Sequence, residues 1–355
     1  MDMNNKKWTL CFLLLTLFLL ILGALPTVIL DPYFHYHAPL PGLSYKLDNQ
    51  RYQNDGILKN YAYDAVITGT SMTDNFKTTE FDEIFGVSSI KVAYPGGSYK
   101  EIKDSLDNGF HANPNIRYVI RGIDCNRIAE HKDSMNYDAD LYPQYLYDSN
   151  PFNDTSYIMN KMVLFGDTIR VLAYTRAGIP GTTFDEYNYW SEDYPYGAEA
   201  IIAGYDRPEK RTEIREIQEE DIQRLQESIL QNFISLAEEN PQTQFYYFFT
   251  PYSIYWWDSV HQTGETEFYI RLMKEASRMM VEYDNIHLFS FFDMEELICD
   301  PNLYKDTLHY SGDINSQMLQ WMKADNYRLT RENYASHWDD MLDFYDTYNY
   351  DALFD

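Results

Sequence analysis

The chain has 355 residues, with 28 basic against 55 acidic side chains and a formal charge of -27. So much negative charge repels nucleic acid and anionic lipid surfaces, which excludes nucleic acid as a partner and disfavours phosphate-rich ones. A hydrophobic share of 45% still supplies a core, so the acidity does not imply disorder.

The first element is an apolar run from Trp8 to Leu30 with no charged residue. At 1.5 Å per residue it is long enough to cross about 30 Å of hydrocarbon. Lys6 and Lys7 precede it, whereas Asp31 follows and the next Lys or Arg is Lys46. That asymmetry predicts a single-pass anchor, 1–30, with a cytoplasmic N-terminus and the remainder outside the membrane. The run exceeds a usual signal-peptide core and lacks a clear small-x-small cleavage site, so it reads as uncleaved.

Residues 31–61, rich in Pro and aromatics at their start, show no sustained period and read as a stalk. His35 and His37 there lack a further nearby ligand and read as interfacial packing rather than a metal site. The regular part, 62–325, begins with three β-prone runs: 63–68, 89–94 and 116–121. They end respectively at Gly69-Thr70-Ser71, Pro95-Gly96-Gly97 and Gly122-Ile123-Asp124. Segments 72–85 and 99–110 between them are long enough for helices. This β-α-β-α-β alternation predicts an α/β fold with a parallel sheet.

The rhythm breaks over 126–212, rich in Tyr, Asp, Asn, Pro and Gly, which reads as an insertion covering a sheet edge or a functional face. The 33 tyrosines of the chain suit sugar-ring contacts as well as ordinary packing. Alternation then resumes with a helix over 213–239, a strand over 244–250, a helix over 265–282, a strand over 286–290 and a helix over 313–323. The acidic, aromatic tail, 326–355, is open to reading as a final helix or a docking arm.

Ligands of an open α/β sheet sit beyond the C-terminal ends of its strands. Ser71 directly follows the first predicted strand, a position that exposes its hydroxyl and offers its N–H to an oxyanion. A serine hydroxyl needs a base. Among eight histidines, His309 has Asp306 three residues earlier, a spacing that one helical turn would bring to one side, so that the carboxylate fixes the imidazole tautomer. Asp74 reads as a helix-cap or first-turn residue rather than a second acid. No Walker loop, dinucleotide fingerprint, HExxH or paired CxxC occurs, so no cofactor and no metal is expected. The three cysteines, Cys11, Cys125 and Cys299, give no spacing that argues for a bridge.

With Gly69-Thr70-Ser71-Met72, the Gly96-Gly97 turn and Asp306-Thr307-Leu308-His309 in place, the chain resembles the SGNH, or GDSL-type, hydrolase superfamily. The resemblance is closest to the membrane-anchored bacterial branch involved in cell-surface polymer acylation. It departs at Thr70 and Met72, which stand where the common signature has Asp and Leu, and at Gly122-Ile123-Asp124-Cys125-Asn126, where the third block has Gly-x-Asn-Asp. The resemblance implies a flavodoxin-like three-layer parallel sheet and a Ser71–His309–Asp306 triad. It also implies an oxyanion hole from the N–H groups of Ser71 and Gly97 with the Asn126 side chain. The implied activity is acyl transfer to a surface glycan or teichoic-acid-like polymer, with esterase or deacetylase activity as the alternative. The implied partner is a membrane-bound O-acyltransferase, which a non-catalytic scaffold of the same fold would also dock.

Overall fold

The computed structural model describes residues 2–137, 142–148 and 150–354. It divides into two compact units, one built from 1–61 with 139–183 and the other from 62–138 with 184–355. Of the insertion expected over 126–212, residues 138–141 and 149 lie outside the described residues.

In the first unit, the helix Asp2–Leu30 is long and apolar enough to cross a membrane, and it is largely exposed. The segment read as a stalk is folded. It carries the helix Gln50–Asn60, and the middle of the insertion packs with it around Tyr33, Leu146, Tyr157 and Val163. Tyrosine does much of this packing, and its hydroxyls end on carboxylates: Tyr157 donates to Asp31 at 2.7 Å, Tyr36 to Asp154 at 3.0 Å and Tyr33 to Asp167 at 2.8 Å. Amphipathic rings thus fill space while their polar tips remain satisfied. The stalk histidines pack as well: His35 faces Asp154 at 3.4 Å, and His37 Nε2 lies 3.2 Å from the Ile29 carbonyl at the end of the apolar helix.

The second unit is an α/β domain on a six-stranded mixed sheet. Its strands are β1 (Ala65–Gly69), β2 (Ser89–Ala93), β3 (Tyr118–Ile123), β4 (Gln244–Phe249), β5 (Ile286–Phe289) and β6 (Arg328–Leu329). The spatial order is β2-β1-β3-β4-β5-β6; the first five strands are parallel and β6 is antiparallel to β5. β1 and β2 are buried along their whole length, which is why they read as continuous runs rather than alternating ones. Two cations sit inside this sheet. Lys91 of β2 donates to the main-chain carbonyls of Asp74, Phe76 and Asp185. Arg121 of β3 donates to those of Asn232 at 2.6 Å and Tyr99 at 2.9 Å, with the Phe233 ring 4.0 Å away.

Two helices depart from the sequence expectation, and the tail takes the helical one of its two readings. The predicted helix over 72–85 is a short 3-10 turn, Ser71–Thr73, followed by a helix at Thr78–Phe85. The helix expected over 213–239 runs from Glu219 and passes through a π turn at Leu230–Ile234. The tail forms β6 and the helix Tyr334–Thr347, whose Trp338 is fully buried and donates to Ser277 Oγ at 2.8 Å.

Strand order reverses at β1, whose neighbours are β2 and β3. Chain leaving β1 and β3 therefore diverges, opening a crevice at the strands' C-terminal ends. Ser71 follows β1 there, and Asp124 follows β3.

Candidate active site

The backbone leaves β1 through Gly69, at φ +148°, where a Cβ would come within 2.6 Å of the Thr73 side chain. Only glycine makes this turn without strain. Thr70 then caps the 3-10 turn, and its hydroxyl donates to the buried Asp124 carboxylate at 3.0 Å. The turn's own bonds run from the Thr73 N–H to the Thr70 carbonyl and from the Asp74 N–H to the Ser71 carbonyl, so they leave the Ser71 N–H unused.

Ser71 Oγ lies 2.8 Å from His309 Nε2. On the far side of the ring, His309 Nδ1 lies 2.8 Å from Asp306 Oδ2 and 3.0 Å from Oδ1. An ionised carboxylate only accepts, so Nδ1 carries the proton and Nε2 is left to accept from Ser71. The Asp306–His309 pairing does not come from a helical turn. Residues 305–308 form a bend in which Asp306 Oδ1 accepts the N–H groups of Leu308 at 2.9 Å and His309 at 2.8 Å. Short Asp side chains favour this local turn chemistry over helix. Ser253, after β4, ties the bend to the sheet end by donating its N–H and its hydroxyl to the Thr307 carbonyl, at 3.2 and 2.8 Å.

No family model, curated protein or solved structure matches this chain. What the site does must therefore be argued from its own residues.

Burial works against ionisation of Asp306, but the His309 contact and the two main-chain N–H groups outweigh it and hold the carboxyl below its ordinary range. Asp124 goes the other way: burial raises it, only partly offset by the Thr70 and Tyr252 hydroxyls. Asp74 caps the C-terminal end of the 3-10 turn rather than standing in the first turn of a helix. It follows the 3-10 turn fully buried, with Oδ1 unpartnered, and burial pushes its carboxyl up against the pull of Lys91 and Lys305.

The remaining expected residues are placed differently. Gly97 has its N–H committed to the Tyr94 carbonyl at 2.7 Å, closing the turn after β2, so it is not a free oxyanion donor in this conformation. Glycine is required there by packing, since a Cβ would lie 2.7 Å from that same carbonyl oxygen. Asn126 is exposed, and its side chain lies 3.0 Å from the Tyr252 hydroxyl, which is also 3.0 Å from Asp124 Oδ1.

Trp190 is a site residue that the sequence did not reveal. Its indole Nε1 donates to the Ser71 carbonyl at 3.3 Å, and its ring meets His309 edge to face at 5.4 Å. Asn75 Oδ1 holds this segment by accepting the N–H groups of Trp190 and Ser191 at 3.0 and 3.1 Å. Lys305 Nζ sits 4.0 Å from the Trp190 ring centre and 3.8 Å from that of Tyr194. The result is a serine hydroxyl, an imidazole and a carboxylate in hydrogen-bond contact, bordered by an aromatic wall and a cation.

Proposed function

We propose that this protein is a membrane-anchored serine acyl-ester enzyme of the SGNH type, transferring an acyl group to a hydroxyl of a cell-surface glycan or teichoic-acid-like polymer. The observation that carries the reading is the continuous chain Ser71 Oγ to His309 Nε2 to Asp306, 2.8 Å at each link. The strand order 2-1-3-4-5 within the sheet, the flavodoxin type of doubly wound order, supports the family. Lys6 and Lys7 before the apolar helix support an extracytoplasmic domain.

His309 takes the Ser71 proton as Oγ attacks the acyl carbonyl, and the Asp306 carboxylate stabilises the imidazolium that forms. Charge on the carbonyl oxygen meets the Ser71 N–H, with Asn126 Nδ2 as the second donor. Collapse expels the alcohol, which leaves with the proton from His309. The acceptor hydroxyl then attacks the acyl-serine with His309 again as base, and collapse breaks the acyl–Oγ bond as His309 returns the proton to Ser71. Water in place of the acceptor gives the hydrolase. A soluble acetyl ester with and without glycan separates the two outcomes: acylated glycan identifies transfer, and free acetate alone identifies hydrolysis.

A fluorophosphonate probe on the full chain in detergent tests the chemistry. Labelling mapped to Ser71 and lost in His309→Ala is expected. Absence of labelling in the folded wild-type chain would refute the enzyme and leave a scaffold that docks a membrane-bound O-acyltransferase.

A further inference from the structure

A continuous helix spans 161–177 in the first unit, passing through a π turn at Val163–Asp167. Its buried face is Val163, Thr168 and Val171. The opposite stripe is also apolar: Met162 is 66% exposed, Phe165 69%, Ile169 50% and Leu172 50%. Their spacing of three, four and three residues keeps them on one side. A soluble surface has no reason to line up four large apolar side chains in this way.

The location says what covers them. The helix 161–177 and the short helix Thr155–Ile158 pack against the apolar helix Asp2–Leu30. Loss of exposure on that helix is confined to its last turns, from Gly23 onwards, with Thr27 and Leu30 buried. From Gly23 to Leu30 is about 10 Å of helix rise. Contact is therefore made within the final stretch of the span, at the depth where an interfacial helix buries its apolar face by about 5–10 Å. The exposed Lys161 and Arg176 flank the stripe at its two ends, and the charge between them turns aside. Arg170 turns to Asp48 at 2.6 and 3.0 Å and to Asp167 at 2.9 Å.

We infer that the helix 161–177 is a second membrane contact, lying in the plane of the outer bilayer surface beside the spanning helix with Met162, Phe165, Ile169 and Leu172 against the acyl chains. The inference rests on the reading of Trp8–Leu30 as a membrane span. Its occupant is lipid, held by apolar burial; with a chain charge of -27, anionic headgroups are not required.

The test uses the full chain, one copy per phosphatidylcholine nanodisc, with a diazirine on the lipid acyl chain and adducts mapped by mass spectrometry. Adducts are expected in 8–30 and also in 159–173, and Phe165→Asp combined with Ile169→Asp should lower the second set about tenfold while leaving the first intact. Adducts in 8–30 alone overturn the inference and leave the anchor standing. Adducts in neither region overturn the anchor as well. Adducts in 159–173 that appear only when two copies share a disc assign the stripe to a second chain and refute the lipid occupant.

Discussion

Replacing Asp306 with Asn isolates the electrostatic part of the site. Asp306 has two structural duties besides facing His309: its Oδ1 accepts the N–H groups of Leu308 and His309. An Asn side chain keeps an oxygen for both, so the bend and its anchorage to Ser253 survive. What changes is the group opposite Nδ1. The amide Nδ2 is a donor, and it favours the tautomer with Nδ1 bare and the proton on Nε2, the atom 2.8 Å from Ser71 Oγ. That nitrogen can no longer accept the serine proton, and no anion stabilises the imidazolium. Trapping a triad histidine in the wrong tautomer lowers turnover by about 10⁴-fold, equivalent to about 5.5 kcal/mol at 1.36 kcal/mol per decade. The assay is the second-order rate of fluorophosphonate labelling of Ser71, with thermal unfolding measured alongside. A fall of about 10³- to 10⁴-fold with unchanged melting is the expected result. Labelling within about threefold of wild type, while Ser71→Ala abolishes it, would refute Asp306 as the orienting group.

Trp190→Phe keeps a ring against His309 and Lys305 but removes the indole donor to the Ser71 carbonyl, so labelling should slow by a few-fold to about tenfold with little change in melting. Gly97→Ala should cost about 1–3 kcal/mol of stability in urea titration, because its Cβ would stand 2.7 Å from the Tyr94 oxygen. Lys91→Met would strip the donor from the carbonyls of Asp74 and Phe76 and should destabilise by about 2–4 kcal/mol; a change below about 0.5 kcal/mol would show those carbonyls to be satisfied otherwise. Burial lowers both His287 and His337 to about 4, so the unfolded chain binds their protons first. The stability they contribute is complete above about pH 6.5 and declines as the pH falls towards 4, a loss of a few kcal/mol that His337→Gln should reduce in acid titration.

The parts of the fold that were legible in the sequence are those whose signal is local. The run expected over 244–250 is the strand Gln244–Phe249, and that over 89–94 is Ser89–Ala93, because strands buried on both faces advertise themselves as unbroken β-prone stretches. Ser71 and the Asp306–His309 pair were legible for a similar reason: one ends a strand and the other two lie within four residues. The helix Gln50–Asn60 was invisible because its buried residues include Arg51, Gln53, Asn54 and Asp55, which give no apolar period. Trp190 was invisible because it meets Ser71 across 119 residues of chain, and nothing near it in sequence marks that meeting. The π turn at Leu230–Ile234 arises where the helical period is shifted by a single residue, which an apolar stripe read at 3.6 residues per turn absorbs unnoticed.

Three carboxyl groups lie near Ser71, and their environments sort them. Asp124 reaches it through the Thr70 hydroxyl, and Asp74 follows it by three residues; burial raises both. Asp306 alone is held below its ordinary range, because it collects the His309 ring and two main-chain N–H groups at a partly open edge. Ionisation is therefore favoured at Asp306, which faces the His309 ring, and opposed by burial at Asp124 and Asp74. Burial, which the neighbouring hydroxyls and lysines offset only in part, makes Asp124 and Asp74 the poorer anions, and it gives a physical reason for Asp306, rather than the more deeply buried Asp124, to face His309.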